Sequence, residues 1–558
     1  MTKLMQPDLP ETYYLDNVHI LFAHVSRVYA DILEAGPLEF LEQFSRLGAD
    51  AQMLCIRLLN RSPDCYRRSR LNYAEIGSLD AAIDELAQHG FIQMNVALEP
   101  TDLLALYTLA ELRALLRDFP ALADIGKLRR NEFEQALIKS GDSEFFARLA
   151  ALDDWLLLLH RDDYLLCQML FFGNLNQSMT DFVLNDLGLH QYESYRIDLD
   201  NRPYRSRIEI QQHWQLYQVQ ALLELTDHAS APALRDLADL IPGAIDTRSP
   251  GFRKSEQLRY EIARQLERIG ELKAARRLYR HCLLPPARER RTRILDQLGK
   301  PRKALKLCRR IIARPHDEQE LQFACQFALR LCRRHDMQPP QSAAQLRITH
   351  RPQIVDLELD YQASVEVAVA EYYSAQGADE RCYYVENSLF NGVLGLLLWE
   401  VIFAPLPGAF YNPFQYRPSD FYTHDFCTRR SQLLNQVWDS IRDNDDIWQT
   451  VSTRWQQKQG LMNPLVNWQA LDLEMIRLAL ERIEHPHWRA IFERILQDLR
   501  NNRAGFPDLV HFPAAGGYCL VEVKGPGDSL QKNQQRWMQH FEAHGIVHRL
   551  ARVTWCQN

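Results

Sequence analysis

The chain has 558 residues, too many for one hydrophobic core, so three or four domains are expected. Hydrophobic residues make up 46% and charged residues 25%, which excludes a disordered or fibrous chain, and a net charge of −7 excludes a uniformly basic coat. Eleven cysteines without a C-x-x-C pair exclude a zinc ribbon or a regular disulfide framework and suggest free thiols in a reducing compartment.

The first segment, "MTKLMQPDLPETYY", has no apolar core of the kind a signal peptide carries, so secretion is not expected. Residues 1–95 read as a helical domain, with apolar side chains every three to four positions in "VHILFAHVSRVYADIL". In 96–160 two amphipathic helices flank a turn. Thr108 is the expected cap of the first, and the second opens on Lys127, Arg129 and Arg130. That pattern resembles a SAP-type DNA-binding motif, and ordinary helical packing explains it nearly as well.

Residues 161–375 read as a helical region with an irregular repeat. "LERIGELKAARRLYRHCL" (266–283) aligns with "LDQLGKPRKALKLCRRII" (295–312), matching Gly270 to Gly299 and Ala275 to Ala304. A turn glycine and a small residue where helices touch is the steric pattern of tetratricopeptide-like hairpins. Between Arg248 and Arg314 there are 21 Lys and Arg against 6 Asp and Glu, so a polyanionic partner suits this stretch. A solvated basic face is the competing explanation.

From 376 the pattern changes. The run 382–403 is apolar nearly all round and reads as a buried helix with Glu386 near its start. Asn391 and Glu400 interrupt it, and it is too short to span a bilayer, so no membrane segment is expected. His485 and His487 flank a proline, but no further ligand accompanies them and a metal site there is not expected. Strands follow at Leu509-Val510 and Tyr518 to Val523, then a helix at 529–543 capped by Asp528, and a last strand in "VHRLARVTW".

These last strands carry Asp508, Glu522 and Lys524. Alternation puts Glu522 and Lys524 on one face, with Val523 pointing into the core and its backbone carbonyl still free to bind a metal. Asp508, on the neighbouring strand, can reach the same spot. Buried carboxylates need a counter-charge, and oxygen donors at this density suit Mg2+ or Mn2+. Such an ion lowers the pKa of bound water and offsets charge on a phosphate, while Lys524 orients or deprotonates the attacking water. A pair of structural salt bridges is the alternative.

The surrounding letters narrow the choice. "GFPDLV", "LVEVKGPGDSL" and "NQQRW" together resemble the VRR-NUC branch of the PD-(D/E)XK nucleases. The upstream stretch "YYVENSLFNGVLGLLLWEVIFAPLPGAFYNPFQYRPSDFYTHDFCTRR" is similar to the segment before this module in the Fanconi-associated nuclease family. The resemblance covers most of 95–558 and is strongest in 383–430 and 503–537. It implies a mainly α N-terminal region followed by an α/β nuclease domain with a small mixed sheet, here 376–558. It implies Glu386, Asp508 and Glu522 as metal ligands, Lys524 as the catalytic lysine, and Gln534 on the helix behind the site; with the Val523 carbonyl, two ions are expected.

The implied activity is endonucleolytic cleavage of 5′-flap and branched DNA, with 5′-to-3′ exonuclease action, in interstrand cross-link repair. A monomer in a bacterial cytoplasm, associated with the nucleoid, is the expected setting, or the nucleus if the source is eukaryotic. Animal members begin with a ubiquitin-binding zinc finger that this chain lacks, so recruitment by ubiquitin is not expected. Arg429, Arg430 and Arg503 are candidates for gripping phosphates, and Tyr384, Phe410, Tyr411, Phe414 and Tyr416 for stacking on bases, with core packing the better explanation of the aromatics. A junction-resolving nuclease and a non-catalytic repair scaffold are the alternatives.

Overall fold

Apolar side chains recurring every three to four positions produce helices at Tyr13–Tyr29, Ala35–Arg46 and Ala49–Leu59, which bury Val18, Leu21, Phe40, Phe44 and Leu54. The computed structural model describes residues 12–177, 190–243, 245–345 and 351–556. Most of the N-terminal segment searched for a signal lies outside them. The chain divides into two compact units, residues 1–187 and 188–558.

The first unit is not wholly helical. β1 (Cys65–Arg67), β2 (Ile92–Met94) and β3 (Trp155–Leu158) form an antiparallel sheet with β3 in the middle. Strands this short leave no legible alternation in the sequence. Between β2 and β3, Thr108 caps the helix Leu109–Leu116 in a reciprocal box with Glu111. That helix shares a core with Arg130–Ser140 and Ser143–Ala150 through Leu112, Phe133, Leu137 and Phe145. Arg130 turns inward and donates to the carbonyls of Leu104 (2.9 Å) and Tyr107 (2.7 Å), so it ties helices together.

In the second unit the repeat is realised as the helices Gly251–Arg268, Leu272–Arg280, Ala287–Gln297, Pro301–Ala313 and Glu318–Arg334, each packed on the next. Gly270 and Gly299 make the turns at φ of 86° and 67°, and Ala275 and Ala304 are fully buried where the helices touch.

A five-stranded mixed sheet follows. β4 (Ile354–Leu359), β5 (Arg381–Tyr384), β6 (Leu509–Phe512), β7 (Cys519–Lys524) and β8 (His548–Trp555) lie in the order β4-β8-β7-β6-β5. β8 is parallel to both β4 and β7, and the remaining pairs are antiparallel. The sheet thus begins before residue 376, where the sequence places its domain, because β4 is an edge strand that reads as part of the helical region. One face packs Val510 and Leu520 against Trp537 and Phe541 of the helix Lys532–Ala543. The other packs Leu509, Val521 and Val523 against Val369 and Tyr373 of the helix Val365–Ser374.

The stretch 382–403 is not one helix. It forms β5, a turn, and the helices Leu389–Leu397 and Trp399–Ile402. Its two glycines allow close packing: a Cβ on Gly395 would stand 2.8 Å from Val466 Cγ2. All eleven cysteines are free thiols. Among the described residues no helix is long and apolar enough to cross a membrane.

Candidate active site

The register of the central strands assembles the site. Leu509 lies opposite Val521, and continuing this antiparallel pairing by one step brings Asp508 beside Glu522. The alternation that sends Val510 and Leu520 to the larger core puts Asp508 and Glu522 on that same face. β5 brings the third acid: Tyr384 pairs with Leu509, the Val385 N–H donates to the Asp508 carbonyl (2.8 Å), and Glu386 comes next. Glu386 therefore sits in the turn after a strand, whereas the sequence places it near the start of a helix.

The helix Lys532–Ala543 closes the face over Glu522. It is capped by Gln531 in a reciprocal box with Gln534, while Asp528, the expected cap, instead accepts from the Gly525 N–H (3.2 Å). Gln534 is thereby fixed, and its Nε2 donates to Glu522 Oε1 (2.5 Å). Lys524 Nζ meets the same oxygen at 2.8 Å. The Val523 N–H donates to Asp508 Oδ2 (2.8 Å).

Glu522 is fully buried, and Asp508 keeps only 9% of its surface exposed. Burial, then the charge of Asp508, pushes the Glu522 carboxyl up to about 8, against the pull of Lys524. Burial likewise pushes Asp508 up to about 6, opposed by the Val523 N–H and Lys524. Glu522 Oε1 has two donors, whereas Oε2 is buried with no hydrogen-bond partner. A buried carboxylate oxygen left without a partner is costly, and a hard cation at that oxygen removes the cost. The donor chemistry of Asp508, Glu522 and the Val523 carbonyl fits a divalent ion.

Glu386 is exposed at the rim. Its Oε2 accepts from the Tyr384 hydroxyl (2.5 Å) and its Oε1 from Asn387 Nδ2 (3.1 Å). As these side chains lie, no group of three His, Cys, Asp or Glu among the described residues is arranged to hold a metal ion.

A fourth acid, Glu366, is one that sequence reasoning misses. It opens the helix Val365–Ser374, whose start abuts the end of β7, since a Cβ on Gly525 would stand 3.2 Å from Val365 Cγ2. Its charge helps to raise both Asp508 and Tyr384, and its Oε2 accepts from the Ser364 hydroxyl (2.8 Å). The available signal is Ser364 as a helix cap, hidden because the segment reads as part of the helical repeats.

Of the other candidates, Tyr384 reaches the site through its bond to Glu386, while Arg430, Phe410 and Tyr411 serve the fold. Arg430 is buried, bonded to Asp420 (2.9 and 3.1 Å) and to the Val401 carbonyl (3.0 Å), so it holds the fold and cannot grip DNA. Arg429 shares Asp420, while Arg503 is exposed over the Tyr422 ring. Phe410 and Tyr411 are core residues, the former stacked 3.8 Å from Tyr195, whereas Tyr384 is exposed. His485 bonds to Asn444 and His487 to the Tyr518 hydroxyl.

The basic helical region sorts into two sets. Arg259, Arg264, Arg288 and Arg290 are paired with Glu256, Glu267 or Glu320. Arg276 and Arg291 instead have buried Nε atoms with no partner. The Arg291 guanidinium is pushed down by burial and by Arg280, Arg276, Arg310 and Arg288. Nearby, Arg302, Lys306, Arg309 and Arg310 line an open groove of about 640 Å³ on the helix Pro301–Ala313. A separate cavity of about 540 Å³, lined partly by Arg248, Arg253, Arg429 and Arg500, lies between these helices and the segment running into Asp508.

Residues 443–555 match the VRR-NUC domain, and residues 12–93 match the domain described as FAN1, HTH. A Fanconi-associated nuclease 1 homolog of Pseudomonas aeruginosa is 33% identical over 98% of this chain and 97% of its own length. A rice homolog of that nuclease is 24% identical over 96% of this chain, which spans 62% of the rice protein. The crystal structure of paFAN1 bound to a 2-nucleotide 5′-flap DNA with a gap superposes with a TM-score of 0.81 and 32% identity, covering 99% of this chain and all of that one.

Proposed function

The chain belongs to the Fanconi-associated nuclease 1 family, and on that premise we propose that Asp508, Glu522, Lys524 and the Val523 carbonyl form the catalytic centre of a nuclease acting on 5′-flap and other branched DNA. The enzyme is a metal-dependent nuclease of the VRR-NUC kind. The observation that carries the site assignment is the register-locked Asp508–Glu522 pair, in which Lys524 holds Glu522 Oε1 and leaves Oε2 buried without a partner.

Asp508, Glu522 and the Val523 carbonyl would hold Mg2+ or Mn2+, with Glu386 completing a two-ion set. Bound there, the ions supply Lewis-acid stabilisation of the phosphate and a more acidic water. Gln534 keeps the Glu522 carboxylate oriented, and Lys524 orients the water that attacks phosphorus as the bond to the leaving oxygen breaks. The intact acid and lysine set argues against a non-catalytic scaffold. The long helical region argues for one copy holding one branched DNA, as against a symmetric junction resolvase. Arg276, Arg291, Arg310 and the groove on Pro301–Ala313 are candidates to take duplex phosphates, since Arg259, Arg264, Arg288 and Arg290 are already paired with carboxylates. A role in cross-link repair, in a bacterial cytoplasm near the nucleoid, follows from the same reading.

Labelled 5′-flap, 3′-flap, four-way-junction and duplex substrates with Mn2+, Mg2+ or EDTA test it. Cleavage confined to the metal lanes and strongest on the 5′ flap is expected. Preferential symmetric cutting of junctions would favour the resolvase, and no cutting of any substrate would favour the scaffold.

A further inference from the structure

We infer that Asn387 is the positioning residue that sets Glu386 against Asp508, an inference that rests on the reading of Glu386 as a metal ligand. Pairing of β5 with β6 brings the Glu386 backbone beside Asp508, but it does not fix the Glu386 side chain. Asn387 ties that side chain to the loop before β6. Its Nδ2 donates to Glu386 Oε1 (3.1 Å), and its Oδ1 accepts the N–H groups of Gly505 (3.0 Å) and Phe506 (3.4 Å). Those two residues lead directly into Asp508.

Its backbone is held as firmly. Asn391 Nδ2 donates both to the Asn387 carbonyl and to the Arg503 carbonyl, each at 2.7 Å. Asn387 has a φ of 53°, a left-handed conformation that asparagine tolerates better than most residues. That conformation lets the chain turn from β5 into the helix Leu389–Leu397 while the side chain points back at the loop. The loop also packs closely on the helix that carries Gln534: Gly505 has a φ of 89°, and a Cβ there would stand 2.7 Å from Asn533 Nδ2. One amide thus references Glu386 to the segments that place Asp508 and Glu522. Asn387 acts through Glu386 and is not a catalytic residue.

Asn387→Gly keeps the positive φ and removes only the side chain. Mn2+ binding to the full chain, measured by calorimetry without DNA, should weaken by roughly tenfold, as when a metal ligand is deprived of its hydrogen-bond partner. Asn391→Ala is the comparison: it removes the backbone tie alone, and it should lower the melting temperature while binding Mn2+ about as tightly as wild type. Glu386→Ala should also bind Mn2+ more weakly. If Glu386→Ala weakens binding and Asn387→Gly does not, or if Asn391→Ala weakens it equally, the positioning role is wrong and the ligand reading stands. If Glu386→Ala binds Mn2+ like wild type, the ligand reading falls and takes this inference with it.

Discussion

Replacing Glu522 by Gln should remove the catalytic ligand and at the same time stabilise the metal-free protein at alkaline pH. In the folded protein the Glu522 carboxyl is raised to about 8 from an ordinary value of 4.5, with burial as the first cause and Asp508 as the second. The folded state therefore binds a proton that the unfolded state has released between these values, and stability falls as pH rises from about 4.5 to about 8. At about 1.4 kcal/mol per pH unit, that rise corresponds to at most about 4–5 kcal/mol of native-state cost above pH 8. Gln presents the same acceptor to Lys524 and Gln534 and puts an amide where Oε2 has no partner. The opposing pull of Lys524 is already contained in that rise, and relaxation and water entry around the ionised carboxylate bring the expected difference down to about 1–3 kcal/mol. For a unit of this size that is a rise of about 2–5 °C in melting temperature. Thermal melts of both proteins in EDTA should coincide near pH 5 and diverge toward pH 8, with the variant the more stable. If the variant melts at or below the wild-type temperature at pH 8, Glu522 is not a strained acid awaiting a metal. Mn2+ at pH 8 should raise the wild-type melting temperature and leave that of the variant nearly unchanged.

Asp508→Ala and Lys524→Ala should each abolish cleavage while 5′-flap binding persists, because affinity is spread over many phosphates; gel shift and a cleavage time course on one substrate check both, and either variant cutting within a few-fold of wild type refutes the assignment. Reversing Arg276, Arg291 and Arg310 together should weaken binding to all DNA shapes and reduce the slope of log K against log salt by roughly 0.9 for each phosphate no longer neutralised. Reversing the paired Arg259, Arg264 and Arg290 should leave that slope unchanged, and equal slopes for both triple variants would show that the basic helices do not track DNA.

The sequence by itself determined the elements whose cause is local. Apolar spacing set the helices, Gly270 and Gly299 with Ala275 and Ala304 set the repeat, and alternation in β7 put Glu522 and Lys524 on one face. These follow from periods of 3.6 and 2 residues and from side chains close together in the chain. Tertiary structure decided what depends on distant partners. Asp508 meets Glu522 through the β6–β7 register, and Glu386 joins them because β5 pairs with β6. Glu366 entered through the packing of the helix Val365–Ser374 against the end of β7, and β4 became part of the sheet only by pairing with β8. Arg430 looks as free as Arg503 in the sequence, yet Asp420 and the Val401 carbonyl bury it. Composition fixes how many cations a segment carries, but only folding brings carboxylates to some of them and leaves Arg276 and Arg291 without any, because an ion pair is set by distance in space and not along the chain.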